Sequence, residues 1–183
     1  MNNSTTWVID PMHSEVLFKI RHLVISTVTG SFRKFEGKIV TEGPDFNNAK
    51  VSFSIDVKSV DTNQEQRDGH LKSGDFFEAD KYPEISFEST SVVSKDENNY
   101  TMVGNLTMKD VTKQVELNVE HGGSEDNGHG ILKHGFEVTG TINRMDFGMT
   151  WNQLTDTGGL GLGENIKLMA NIQVAELVET AAV

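Results

Sequence analysis

Cysteine is absent from the sequence. That excludes disulfides, thiolate-bound metals and a cysteine nucleophile, and it leaves the redox compartment open. Long apolar runs are missing too: none approaches the ~18 residues that a membrane-crossing helix needs. The N-terminal "MNNSTTWVID" has neither the basic nor the apolar region of a signal peptide. The expected location is therefore cytoplasmic, or periplasmic where a leader has been removed, and stable membrane insertion is not expected. Positive charge is in the minority, with 16 Lys and Arg against 27 Asp and Glu and a net charge of −11. A surface of that sign repels phosphate backbones and anionic headgroups, which argues against nucleic-acid binding and electrostatic docking on membranes. Motifs of common active sites are also lacking. There is no GxSxG, HExxH, Walker or EF-hand pattern, and the dispersed acidic residues form no clear catalytic pair.

What is present is alternation. Val16, Phe18, Ile20 and His22 share one parity against Glu15, Lys19 and Arg21, with Leu17 the exception. Val51, Phe53, Ile55 and Val57 oppose Ser52, Ser54 and Asp56, and Val115, Leu117 and Val119 oppose Gln114, Glu116 and Asn118. Near the C-terminus Ile166, Leu168, Ala170, Ile172 and Val174 oppose Lys167, Asn171 and Gln173. Shorter segments at Phe35–Ile39, Ile85–Ser89, Tyr100–Met108 and Phe136–Ile142 fit the same period. Roughly eight one-faced strands without alternating helices indicate an antiparallel all-β domain. The polar stretches "TEGPDFNN", "SKDENN" and "HGGSEDNGHG" read as its hairpin connections. With 183 residues, 36% of them hydrophobic and 10 of them Phe, a packed globular core is well within reach.

One segment breaks the rhythm. "DTNQEQRDGHLKSGDFFEADKYP" predicts a short helix at about residues 62–73, with Thr62 as N-cap and Glu65 completing a capping box. Leu71 is its only large apolar residue, so it lies over something rather than crossing between parallel strands. Phe76 and Phe77 follow and need burial. Strands as long as Glu15–Leu23 and Ile166–Leu177 suit a closed barrel better than a sandwich. An eight-stranded barrel either fills with side chains or holds one small ligand, and the pattern leaves that choice open.

The histidines offer no metal site. His13 and His22 stand nine residues apart, on opposite faces of a strand and roughly 30 Å apart along it. His13 falls in the turn-like lead-in "DPMHS". His22 has the inward parity, as a rim histidine bonded to loop backbone or as a contact for a ligand headgroup. His70 reads as a helix-surface residue beside Arg67 and Asp68, and His121, His129 and His134 flank the Gly-rich loop and read as exposed. "NRMDFGMTWN", residues 143–152, puts Arg144 and Asp146 on one face and Phe147, Met149 and Trp151 on the other. Either a salt bridge lies there beneath an aromatic plug, or Phe147, Met149 and Trp151 form a ligand wall while Asn143 and Arg144 hold a polar head. "GGLGLGENIKL" precedes a strand and reads as a loop, not a phosphate cradle.

Five blocks now stand in order: "WVIDPMHSEVLFKIRHL", "GSFRKFEGKI", "RDGHLKSGDFFEADKYPEISFES", "GNLTMKDVTKQVEL" and "INRMDFGMTWN". In content and spacing they resemble YceI-like proteins, over a single domain at residues 6–177, with terminal tails at 1–5 and 178–183. The resemblance implies an extended, lipocalin-like, eight-stranded antiparallel barrel, often a homodimer, whose cavity holds a long apolar molecule such as a polyisoprenoid, an isoprenoid quinone or a fatty amide. On this chain it suggests a lining of Phe18, Ile20, Phe32, Phe53, Ile55, Phe87, Leu117 and Phe136, covered by Leu71, Phe76 and Phe77, with Phe147, Met149 and Trp151 at one end. It supplies no catalytic residues, no metal and no cofactor beyond the bound lipid. The expectation is a lipid carrier; a lipid- or quinone-modifying enzyme using His22, Arg144 or His70, or a ligand-free stress-response module, are the alternatives.

Overall fold

In the computed structural model, which describes residues 3–178, the alternating segments form eleven antiparallel strands joined in one sheet. They are β1 (Thr5–Ile9), β2 (Glu15–His22), β3 (Ser26–Phe32), β4 (Phe35–Thr41), β5 (Lys50–Asp56), β6 (Val60–Asp61), β7 (Glu84–Ser94), β8 (Asn99–Met108), β9 (Val111–Asp126), β10 (Leu132–Asn143) and β11 (Leu162–Glu176), with one helix, α1 (Glu65–Lys72). The sheet closes because β1 pairs with both β4 and β11. The closed circuit runs β1-β4-β5-β7-β8-β9-β10-β11, eight strands, as expected. Its seam is short: Trp7 opposes Glu176, Val8 opposes Ala175 and Ile9 opposes Val174. The expected tails at 1–5 and 178–183 fall largely outside the described residues, and Thr5 already belongs to β1.

The remaining strands extend this wall. β2 continues β1 and pairs with the first part of β11, while β3 runs into β4 and pairs with β2. Nine residues separate Trp7 from Val16, but seven separate their partners Ile39 and Phe32. The surplus is taken up by the 3-10 turn Pro11–His13, where Asp10 accepts from the Met12 N–H at 3.0 Å and from His13 Nδ1 at 2.8 Å. His13 is thus a turn residue, as its context suggested.

Inside, several phenylalanines rest against the wall over a glycine. Phe18 pairs across to Gly30 and Phe53 to Gly37. A Cβ on Gly30 would stand 2.2 Å from Phe18 Cζ, and one on Gly104 would stand 2.4 Å from Phe87 Cζ. No side chain beyond hydrogen fits beneath these rings.

Three local expectations need correction. Thr62 does not cap α1: Gln64 does, its Oε1 accepting from the Arg67 N–H, and no capping box forms. Thr62 is instead buried and donates its hydroxyl to Asp68 Oδ1 at 2.6 Å. "HGGSEDNGHG" is mostly strand, because β9 and β10 stay paired out to Asp126 and Leu132 and the connection shrinks to residues 127–131. Residues Arg144–Phe147 form a 3-10 turn that ends on Gly148 at φ 75°, so the strand alternation read there does not apply.

The second of these corrections carries His121 and His134 partly out of the solvent. Extended pairing brings both to the barrel end covered by Phe46, where their rings pack at 5.7 and 5.0 Å from the Phe46 centroid. His121 Nε2 and His134 Nδ1 share a hydrogen bond of 2.9 Å, and His134 meets Trp7 edge-on at 4.6 Å. Burial holds both imidazoles below their ordinary value of 6.5, and His121 lowers His134 further.

Two outcomes follow from this packing. Phe53→Asp puts a carboxylate into the barrel and should cost ~3 kcal/mol or more in denaturant titration. Ser54→Lys, opposite Glu36 on the outer face, should change stability by no more than ~0.5 kcal/mol; similar losses for the two would contradict the facing. The histidine pair should make stability pH-dependent. With folded values depressed, the unfolded chain binds more protons, so the pair's contribution is complete above 6.5 and is lost as pH falls from there through the lowered folded values. His121→Gln should flatten that slope, measured as unfolding free energy against pH.

Candidate functional site

The barrel encloses a cavity of about 410 Å³, lined from every strand of the closed circuit. Small-molecule sites have volumes of this order. Tyr100 and Met108 both line it from opposite ends of β8, a strand length of ~26 Å, or on the order of 20 Å along a tilted barrel axis. The site is a tunnel rather than a pit. Its wall is mostly aliphatic and aromatic, with Lys38, Ser52 and Ser86 contributing from β4, β5 and β7, and among the described residues no Asp or Glu lines it.

Most of the residues selected from sequence are on that wall. Phe18, Ile20, Phe32, Phe53, Ile55, Phe87, Leu117 and Phe136 line the barrel, and Leu71, Phe76, Phe77, Met149 and Trp151 line it from α1 and the following segments. Phe18 and Phe32 pack at 5.4 Å and Phe32 meets Phe77 edge-on at 5.8 Å, which carries the aromatic surface from β2 and β3 to the cover.

Three selected residues behave differently. Phe147 is fully buried but stands outside the cavity lining, turned away by the 3-10 turn. Asn143 also stands outside it, because its Oδ1 accepts from the Met145 N–H at 2.9 Å and caps that turn. Arg144 touches the cavity, yet its guanidinium is engaged with backbone. Nε donates to the Gly163 carbonyl at 2.8 Å, and Nη1 donates to those of Met149 and Trp151 at 2.6 and 2.8 Å. It is 1% exposed, and burial lowers its pKa. No ion pair with Asp146 forms, since the turn leaves Asp146 exposed. Arg144 is therefore a staple between the 149–151 segment and β11, not a receptor for a headgroup.

A further group of polar residues lines the α1 end. His22 is exposed and lines the cavity, so the cavity reaches the surface there. Arg67 and His70 join it from α1. Arg67 Nε donates to Thr62 Oγ1 and Nη2 to the Thr62 carbonyl, each at 2.7 Å, which fixes the side chain while Nη1 has no partner among the described residues. His70 Nε2 bonds Asp75 Oδ2 at 2.8 Å, and its ring meets Trp151 edge-on at 4.7 Å. Sequence reading placed His70 on the solvent side of the helix. The signal to the contrary was spacing: Arg67, His70 and Leu71 stand at i, i+3 and i+4, one helix face, and Leu71 is the residue that must turn inward.

Among the described residues no cluster of three or more His, Asp or Glu could hold a metal ion, and no helix is long and apolar enough to cross a membrane.

Known proteins share this architecture. A UPF0312 protein of Staphylococcus aureus is 40% identical over 170 residues, spanning 92% of this chain and 96% of its own length. The crystal structure of the Campylobacter jejuni YceI protein matches with a TM-score of 0.76 at 34% identity, over 87% of this chain and 91% of that one. A polyisoprenoid-binding domain from Saccharophagus degradans has the same fold, with a TM-score of 0.67 at 15% identity over 93% of this chain and 98% of its own. Residues 7–174 match the YceI-like domain. With its barrel, its short covering helix and these relatives in agreement, the chain belongs to the YceI-like family.

Proposed function

We propose that this protein is a carrier that takes a long, apolar, isoprenoid-type lipid into the barrel, a polyprenol or isoprenoid quinone being the chemistry that fits. The observation that carries the reading is the length and composition of the wall: a tunnel on the order of 20 Å, mostly apolar along the barrel apart from Lys38, Ser52 and Ser86, with His22, Arg67 and His70 beside α1. A tail would lie along Phe18, Phe53, Phe87 and Leu117, and a polar end would lie by His22, Arg67 and His70. The S. degradans domain, named for polyisoprenoid binding, has the same fold, which agrees with this reading. Binding rather than catalysis is inferred, with the lipid as the one small molecule required. A homodimer, implied by the family resemblance, belongs to the same proposal and would be read by sedimentation.

The driving force is burial, at ~0.8 kcal/mol per methylene removed from water. A five-carbon isoprene unit could therefore contribute at most about 4 kcal/mol, less the cost of ordering a flexible tail. In a tryptophan-quenching titration with prenols of increasing length, affinity should rise with each unit that enters and level off once the tail outgrows the tunnel. Affinity indifferent to tail length but abolished by altering the headgroup would overturn the carrier reading.

The glycine beneath Phe18 supplies a second test. Gly30→Ala forces the ring off the wall, and the ring's free direction is the lumen. The variant should remain folded at a cost of about 1–3 kcal/mol, and its affinity for the longest prenols should fall more than for the shortest. An unchanged length profile would show that the tail does not pass Phe18.

A further inference from the structure

The β2–β3 turn is built from residues that turns avoid. His22 pairs with Ser26, leaving Leu23, Val24 and Ile25 as the tip. Leu23 and Val24 adopt φ 51° and 64°, the left-handed region where Asn and Gly are favoured and a β-branched residue is strained. Arg21 pins the turn, its Nη2 donating to the Val24 carbonyl. The three side chains nonetheless face water, Val24 at 70% and Ile25 at 83% exposure. The neighbouring loop does the same: Leu154 and Leu160 bridge across it, both exposed, and Leu23 N–H donates to the Gly161 carbonyl at 2.8 Å, joining the two tips. Exposed leucine, valine and isoleucine clustered this way mark an interaction surface.

Position and charge say what it meets. The patch adjoins His22, Trp151 and Leu162, which line the cavity, so it forms part of the rim of the opening. Although the chain has 27 acidic residues, β2 carries none between Val16 and the tip, while Lys19 and Arg21 fall there; Arg33 and Lys34 stand beyond Phe32 at the opposite end of β3, ~20 Å away. Lys167 stands opposite Lys19 on β11. Arg33 is paired with Asp61, and Asp156 and Glu164 are the acidic groups of the adjoining loop and strand. The apolar tip is thus flanked by Lys19, Arg21 and Lys167 against Asp156 and Glu164, a small local excess of positive charge in an acidic protein, the combination that lets an apolar turn approach phosphate headgroups.

We propose that the Leu23–Ile25 turn, with the Leu154–Leu160 loop beside it, docks reversibly on the surface of a phospholipid bilayer and holds the cavity opening against the membrane. The role of the docking rests on the lipid-carrier reading; the docking itself does not require the cavity to be loaded. The turn's strain is consistent with this use, since Asn or Gly would relax the backbone but would give up the apolar surface.

The test uses the full chain and sedimentation with vesicles of phosphatidylcholine and phosphatidylglycerol that contain no isoprenoid. The wild type should co-sediment. The double variant Val24→Asn, Ile25→Ser should bind at least ~10-fold more weakly, with a melting temperature unchanged or raised because Asn tolerates the left-handed backbone. In a separate assay with prenol-loaded vesicles, prenol uptake should slow in the variant, while affinity for detergent-dispersed prenol stays at the wild-type value. Vesicle binding by a wild type that takes up no prenol would support the docking while refuting the carrier reading. The proposal is overturned if the wild type does not bind vesicles, if the double variant binds them equally well, or if the substitutions split a dimer and leave vesicle binding untouched.

Discussion

Phe18 over Gly30 and Phe87 over Gly104 decide what the inside of this barrel is. An eight-stranded barrel is narrow enough for inward side chains to meet across the middle, and ten phenylalanines in the chain would be ample to plug it. With no Cβ beneath them, at separations of 2.2 and 2.4 Å from the nearest ring atom, the rings settle against the strand behind them instead of projecting into the lumen. Their edges and faces then make the surface that a lipid tail would touch. A barrel of the same topology with alanine at those glycines would have its aromatic mass in the middle.

The second constraint is that an open lumen leaves the barrel's ends to be held by something other than core packing. At the α1 end this is Arg144. A buried cation is costly unless its donors are satisfied, and here backbone carbonyls of Met149, Trp151 and Gly163 do so. The charge is used to tie down an irregular segment that could not join a strand ladder. At the other end Phe46, Trp7 and the His121–His134 pair close the wall with ring-to-ring contacts. One end is thus fastened by a cation on carbonyls and the other by neutral aromatic surface, and the polar groups that could greet a headgroup belong to the first.

Most of the barrel was legible because the burial pattern has the period of the strand itself. Phe18, Phe53, Ile55 and Leu117 declare their face through their neighbours two residues away. Where the period changes without changing composition, the reading fails. "NRMDFGMTWN" alternates plausibly as a strand, and nothing local announces that Asn143 will cap a turn and swing Phe147 out of the cavity lining. His121 and His134 were misplaced for a related reason: the glycines and polar residues around them look like a loop, and only pairing with the opposite strand keeps them extended. Arg67 and His70 were recoverable, since helical spacing to Leu71 puts them on its face. That Phe18 and Phe87 need glycines beneath their rings could not be read from either strand alone.

The seam that closes the barrel joins Trp7 to Glu176 and Ile9 to Val174. Those are among the first and last described residues, so this pairing spans nearly the whole described chain. Loop closure over such a span comes late and slowly in folding. During synthesis, the edge of β1 facing β11 has no partner until β11 has left the ribosome. The hairpins from β7 to β10 can form earlier from local contacts, so a nascent chain would first be an open, curved sheet with its phenylalanine face uncovered. Such a surface is prone to aggregation, and a lipid present at that stage could occupy the face before the wall closes around it. Loading and the final folding step would then be one event.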